Sequence, residues 1–110
     1  MSIYTTPKPS RKVSGLAKLY EKGQVSDLTA RTLNKLADME ISQSRADLEA
    51  TEKDLQEFEQ RYQMSTADFF SKWQAGKVGD SMDFVEWASL AQMAHRIRER
   101  LEILASETQK

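Results

Sequence analysis

The sequence predicts an all-α protein: a long antiparallel helical hairpin, coiled-coil-like, with a short helix at its corner and a short N-terminal helix. Three observations carry that expectation. No glycine or proline occurs between Ser26 and Gly76, and residues 26–62 are dominated by Ala, Leu, Glu, Gln, Lys and Arg, all good helix formers. Two separate segments carry apolar residues on a seven-residue repeat. Between them, residues 62–87 gather five large aromatics (Phe69, Phe70, Trp73, Phe84 and Trp87) between two helix-start signals.

Each element follows from local chemistry. Residues 1–10 hold both prolines, Pro7 and Pro9, which disfavour helix at the residues before them, and read as a flexible tail. Residues 11–110 then read as a single helical domain. Val13, Leu16, Leu19 and Tyr20 recur at three- and four-residue steps, which predicts a short amphipathic helix from Arg11 ended by Gly23. Ser26 is placed to cap the next helix, with Asp27 in its first turn. There Ile41, Leu48, Leu55 and Tyr62 recur every seven residues, interleaved with Ser44, Thr51 and Phe58. At 1.5 Å per residue, a helix to Tyr62 would run roughly 54 Å. Ser65 opens the corner helix, with Asp68 three residues on and Met64 ready to staple against Phe69; Gly76 closes it. Asp80 or Ser81 starts the last helix, on which Trp87, Ala94 and Leu101 alternate with Leu90, Ile97 and Leu104. The two seams meet if the corner reverses the chain, pairing about residues 81–106 with about 38–62.

Composition narrows the function classes. The 110 residues carry a formal charge of −1, so no global basic field for nucleic acid exists. Cysteine is absent, which removes disulfide scaffolds and cysteine–zinc sites. No apolar run approaches the roughly 18 residues of a membrane span, and no secretory signal opens the chain, so a soluble, cytoplasmic protein is expected. The charge is nevertheless uneven. Residues 1–35 hold seven lysines and arginines against Glu21 and Asp27, a balance of +5, which leaves −6 for the remainder. Residues 38–59 contain eight carboxylates against Arg45 and Lys53. Charge runs of this kind ordinarily face solvent; the functional alternative is a basic arm and an acidic face that steers a basic partner.

Catalytic and metal chemistry finds little to work with. His95 is the lone histidine, Gln92 and Glu99 are its nearest polar neighbours on the helix, and neither gives a metal-ligand spacing. No serine has a base to activate it, because that histidine lies among Arg96, Arg98 and Arg100. Gly76 and Gly79 do not form a phosphate loop. Asp80, Asp83 and Glu86 are explained by capping and by the positive end of a helix. The expectation is a protein without enzyme activity, metal or cofactor. Arg31 and Lys35, in a possible helix-turn-helix over residues 11–37, keep a DNA-binding regulator open as the weaker alternative.

The run FEQRYQMSTADFFSKWQAGKVGDSMDFVEWASLAQM resembles a group of small helical bacterial and archaeal proteins regarded as antitoxin-like members of toxin–antitoxin pairs. Their pattern is FE-x-x-Y-G-M-S, an aromatic residue, then G-x-x-G-D-x-x-D-F-x-E-W. Phe58, Glu59, Tyr62, Met64, Ser65, Phe69, Gly76, Gly79, Asp80, Asp83, Phe84, Glu86 and Trp87 fit it, and the likeness covers about residues 55–104. Gln63 stands where the pattern has glycine, which predicts a strained left-handed backbone at that position. The resemblance implies an antitoxin-type protein that binds and neutralises a cognate toxin, such as a ribonuclease, and it brings no catalytic residues.

The combined expectation is a non-catalytic protein-binding module. Glu49, Glu52 and Glu59 would steer the partner, and Phe69, Trp73 and Trp87 would anchor it. Leu28, Leu33 and Leu36 lie beyond the reach of the paired helix and predict a homo-oligomer. A homo-oligomeric structural or adaptor coiled coil is the alternative reading.

Overall fold

The computed structural model describes residues 8–106 and contains four helices and no strand among them: α1 (Arg11–Glu21), α2 (Asp27–Tyr62), α3 (Thr66–Gln74) and α4 (Met82–Ser106). The flexible tail expected over residues 1–10 falls mostly outside the described residues. Ser10 is inside them and caps α1, its side chain accepting from the Lys12 amide at 3.1 Å. Every helix start then uses a serine. The Ser26 hydroxyl accepts from the Thr29 amide (3.1 Å), Ser65 from the Asp68 amide (3.1 Å) and Ser81 from the Phe84 amide (3.3 Å). Each bond satisfies an amide that the helix itself leaves without a partner.

The first three helices end in one way. The amide of Gln24 donates to the Leu19 carbonyl (2.8 Å), that of Met64 to Glu59 (3.3 Å) and that of Lys77 to Lys72 (2.9 Å). Each is the six-to-one bond of a Schellman cap, which requires left-handed backbone at the residue before it. Gly23 (φ 69°) and Gly76 (φ 70°) adopt that geometry without a Cβ penalty. At the end of α2 the position is Gln63, at φ 51°, the only described non-glycine residue with positive φ. Its side-chain amide donates to the Gln60 carbonyl (2.7 Å), which partly compensates the strain.

The chain forms two compact units, Met1–Ala37 and Asp38–Lys110, where the sequence suggested one domain after the tail. The physical difference between them is the core. In the first unit no described residue is buried. α1 and the first turns of α2 share a hydrogen bond from the Asn34 side-chain amide to the Tyr20 hydroxyl (3.0 Å), while Leu16 and Leu33 are only half-buried.

The second unit is an antiparallel hairpin. Tyr62 meets Phe84, Phe58 meets Trp87, Thr51 meets Met93 and Glu52 meets Arg98, so partners rise along α4 as they fall along α2. The heptad seam is the buried line: Ser44, Thr51, Leu55 and Phe58 on α2 and Trp87, Ala94 and Ile97 on α4. Small residues dominate the end of the seam away from the corner. Ser44 and Ala94 are wholly buried, and the Thr51 hydroxyl donates to the Asp47 carbonyl one turn back (2.8 Å) and so needs no cross-helix partner.

Replacing Gln63 by glycine removes the Cβ penalty of the left-handed conformation, which is about 1–2 kcal/mol, against an entropic cost of about 0.5–1 kcal/mol for the more flexible unfolded chain. Gln63→Gly is expected to raise the melting temperature by a few degrees in a thermal melt followed by circular dichroism. A lowered melting point would show that the Gln63–Gln60 bond outweighs the strain.

Candidate functional site

The corner is built around Trp87. Its indole stacks on Phe69 with ring centroids 4.0 Å apart and planes 1° from parallel. Phe58 and Tyr62 stack against it at 5.6 and 5.7 Å. Phe84 closes the group at 5.5 Å from Phe69 and edge-on to Tyr62 at 5.1 Å, and Trp73 lies 6.1 Å from Phe69. The indole N–H donates to the Thr66 hydroxyl (3.0 Å), so the buried polar atom of the ring is satisfied.

This packing corrects the reading of the aromatics as partner anchors. Phe69 and Trp87 have no exposed surface at all, so neither ring can touch another molecule while the unit is folded. Trp73 is half-buried and is the one predicted anchor with surface left to offer.

Two of the three predicted steering carboxylates are also engaged within the unit. Glu59 accepts from the Thr66 amide at 2.7 Å and so caps the start of α3 from across the turn. Glu52 pairs with Arg98 at 2.9 Å, with about half of each side chain exposed, a geometry that orients both groups more than it stabilises them. Glu49 is exposed, as expected of a steering charge.

A second polar device latches the corner. The Asp83 carboxylate accepts from the Tyr62 hydroxyl (2.5 Å) and from the Arg61 guanidinium (2.9 Å). The guanidinium also lies over the Phe58 ring, 5.1 Å from its centroid. The hydrogen bond from Tyr62, followed by that from Arg61, holds the Asp83 carboxyl below the ordinary aspartate range. The same bond raises Tyr62 above the ordinary phenol value. Asp83 was legible in the sequence only as a cap residue. Its partners are 21 and 22 residues away and meet it only because the chain reverses.

Beside this closed core lies an open groove of about 950 Å³ formed by α2, α3 and α4. Leu55, Phe70 and Ala91 give it an apolar floor; Gln56 and Glu59 form one rim, and Gln92 and His95 the other. Ala67, at the start of α3, is exposed at its edge. The carboxylates of Glu52 and Glu59 are matched in number by the guanidiniums of Arg96 and Arg98, so the groove is locally balanced in charge. His95 is exposed, with Nε2 3.7 Å from the Glu99 carboxylate. The sequence singled out some of these lining residues, among them Glu52 and Glu59 as steering carboxylates and Phe70 as a corner aromatic; the groove as a whole was not read, because its residues come from three helices with no shared spacing.

Among the described residues no group of three or more His, Cys, Asp or Glu side chains could hold a metal ion. No helix among them is long and apolar enough to cross a membrane. Comparison with protein-family models, with curated proteins and with solved structures gives no match to this chain.

Trp87→Ala empties the centre of the stack and should cost about 3–5 kcal/mol of stability, the usual range for a buried aromatic. An unchanged denaturant midpoint would show that the ring is not core. Asp83 gives a pH signature. Its depressed folded pKa means that its contribution is complete above the unfolded value of about 3.9 and is lost as pH falls from there through the folded one. The raised pKa of Tyr62 sets the opposite limit: that contribution holds below the ordinary value of about 10 and is lost as pH rises through the folded one. The gap in melting temperature between the wild type and Asp83→Asn should therefore be wide at neutral pH and close in acid. A gap independent of pH would overturn the latch.

Proposed function

We propose that this chain is a non-catalytic protein-binding module of the antitoxin type, which holds a basic partner protein in the groove between α2, α3 and α4. The observation that carries the reading is the pairing of a closed aromatic core with an open groove beside it. A core in which Phe69 and Trp87 are fully buried fixes the three helices, so a partner meets a preformed surface and little ordering entropy opposes binding. The apolar floor of Leu55, Phe70 and Ala91 supplies a water-excluding centre, and the polar side chains around it supply a rim, the usual anatomy of a recognition surface.

The choice of a basic partner rests on charge. The groove itself is balanced, but residues 38–110 carry −6 in all, and that field raises the encounter rate with a cationic surface. The motif likeness adds the class of partner: a toxin such as a ribonuclease presents a basic, phosphate-binding face. Glu49 would contribute to steering, and Trp73 to contact at the margin. Glu59, and the rings of Phe69 and Trp87, would act indirectly by holding the groove in shape.

Ala67→Arg puts a long cationic side chain at the groove edge without entering the core. Capture from native cell extract, read by mass spectrometry, should recover a basic protein with the wild type and lose it with this variant, at an unchanged melting temperature. Co-expression of the captured protein should arrest growth, and the wild-type chain should relieve the arrest. Equal capture by both chains would move the partner away from the groove.

A further inference from the structure

Among its described residues the first unit has no buried side chain, which is what a folded unit needs. Leu28 is 69% and Leu36 51% exposed, and Val13, Leu19 and Tyr20 also keep much of their surface in water. The unit spans residues 1–37, short of the roughly 40 residues at which domains stand without disulfides, metals or association. Some other surface must cover these leucines. Like charge argues against another first unit, since each carries +5.

The surface that fits is on the second unit. On the outer side of α2, Met39, Gln43, Ala46 and Ala50 follow one another at three- and four-residue steps, and all four are exposed. The line is roughly opposite Glu52 and Glu59 around the helix, so it is not the groove. It ends in two alanines, shallow enough to receive a large side chain from another helix. Carboxylates flank it, Glu40 and Asp54 on one side and Asp38 and Glu49 on the other, with Arg45 and Lys53 as the basic residues among them. Leu28 and Leu36, for their part, are flanked by Arg31 and Lys35 on the same helix; Arg31 pairs with the exposed Asp27 one turn back (3.0 Å), which leaves the face a net positive charge through Lys35.

We infer that the chain self-associates by docking the leucine face of the first unit of one copy, Leu28 and Leu36 with Arg31 and Lys35, on the Met39–Ala50 face of the second unit of another. Large apolar side chains meet small ones, and cations meet carboxylates. The contact depends on no toxin and on no part of the groove, so it stands or falls apart from the proposed function.

Light scattering after size exclusion, on the purified full chain at micromolar concentration, should give at least the dimer mass. Two charge-reversed chains decide the pairing: Arg31→Glu with Lys35→Glu in the first unit, and Glu49→Lys with Asp54→Lys in the second. All four positions are exposed, and circular dichroism should show unchanged helix content. Each reversed chain alone should be monomeric, because both of its faces then carry the same sign. An equimolar mixture should regain the dimer mass. Ala46→Arg, which blocks the shallow face, should be monomeric and stay so. A monomeric wild type would overturn the inference, since a different molecule would then cover the leucines. Reversed chains that keep the dimer mass on their own would also overturn it, because first-unit-to-first-unit contact is indifferent to reversing both sides.

Discussion

The second unit turns on the indole of Trp87. Its two faces and one edge are all in use, with Phe69 stacked at 4.0 Å, Phe58 and Tyr62 against it, and the N–H on Thr66. These contacts bind one residue of α4 to α2, α3 and the start of α3 together, so the reversal of the chain and the position of the corner helix are decided by one side chain. Stacked and edge-on pairs add about 0.5–1.5 kcal/mol each beyond the area they bury. That directional part favours one arrangement of the rings over a merely greasy cluster. Everything else at the corner follows from this seat: the approach of Asp83 to Tyr62 and Arg61, the reach of Glu59 to the Thr66 amide, and the width of the groove alongside.

Away from the corner the hairpin is held differently. The seam there alternates the small side chains of Ser44, Thr51 and Ala94, which let the helices close and exclude water, with the larger Ile97, buried, and Leu48, partly buried. The Thr51 hydroxyl returns its proton to its own helix, so the buried polar atom costs little. The largest fully buried side chains, Trp87 and Phe69, are nevertheless at the corner end. The groove lies next to this rigid end, and its shape is maintained by contacts within the unit.

The first unit has the opposite character. It carries basic charge and leucines that its own helices do not cover, and no described side chain in it is buried. The division of the chain at Ala37 coincides with the change of sign from +5 to −6, so the two halves of the sequence are electrostatically complementary while each is locally like-charged.

Most helix starts and stops were legible in the sequence, although the cap at Ser10 was not read and the start of α4 was left between Asp80 and Ser81. Ser26 and Ser65 as caps and Gly23 and Gly76 as terminators were legible because capping is settled within four or five residues of the chain, whereas the left-handed Gln63 was expected only through the glycine that the resembled pattern has there. The seven-residue seams and the antiparallel hairpin were legible too, since one period on two long segments leaves few ways to bury both. What the aromatics do was not. Phe69 and Trp87 carry the same residue types whether they face solvent or core, and only the stack across α3 and α4 withdrew them from any surface. The roles of Glu59 and Glu52 were decided in the same way, by a backbone amide and a guanidinium brought to them from elsewhere in the chain. Periodicity records which side of a helix is apolar. It does not record what stands opposite, and the groove, the latch and the division into two units all depend on that.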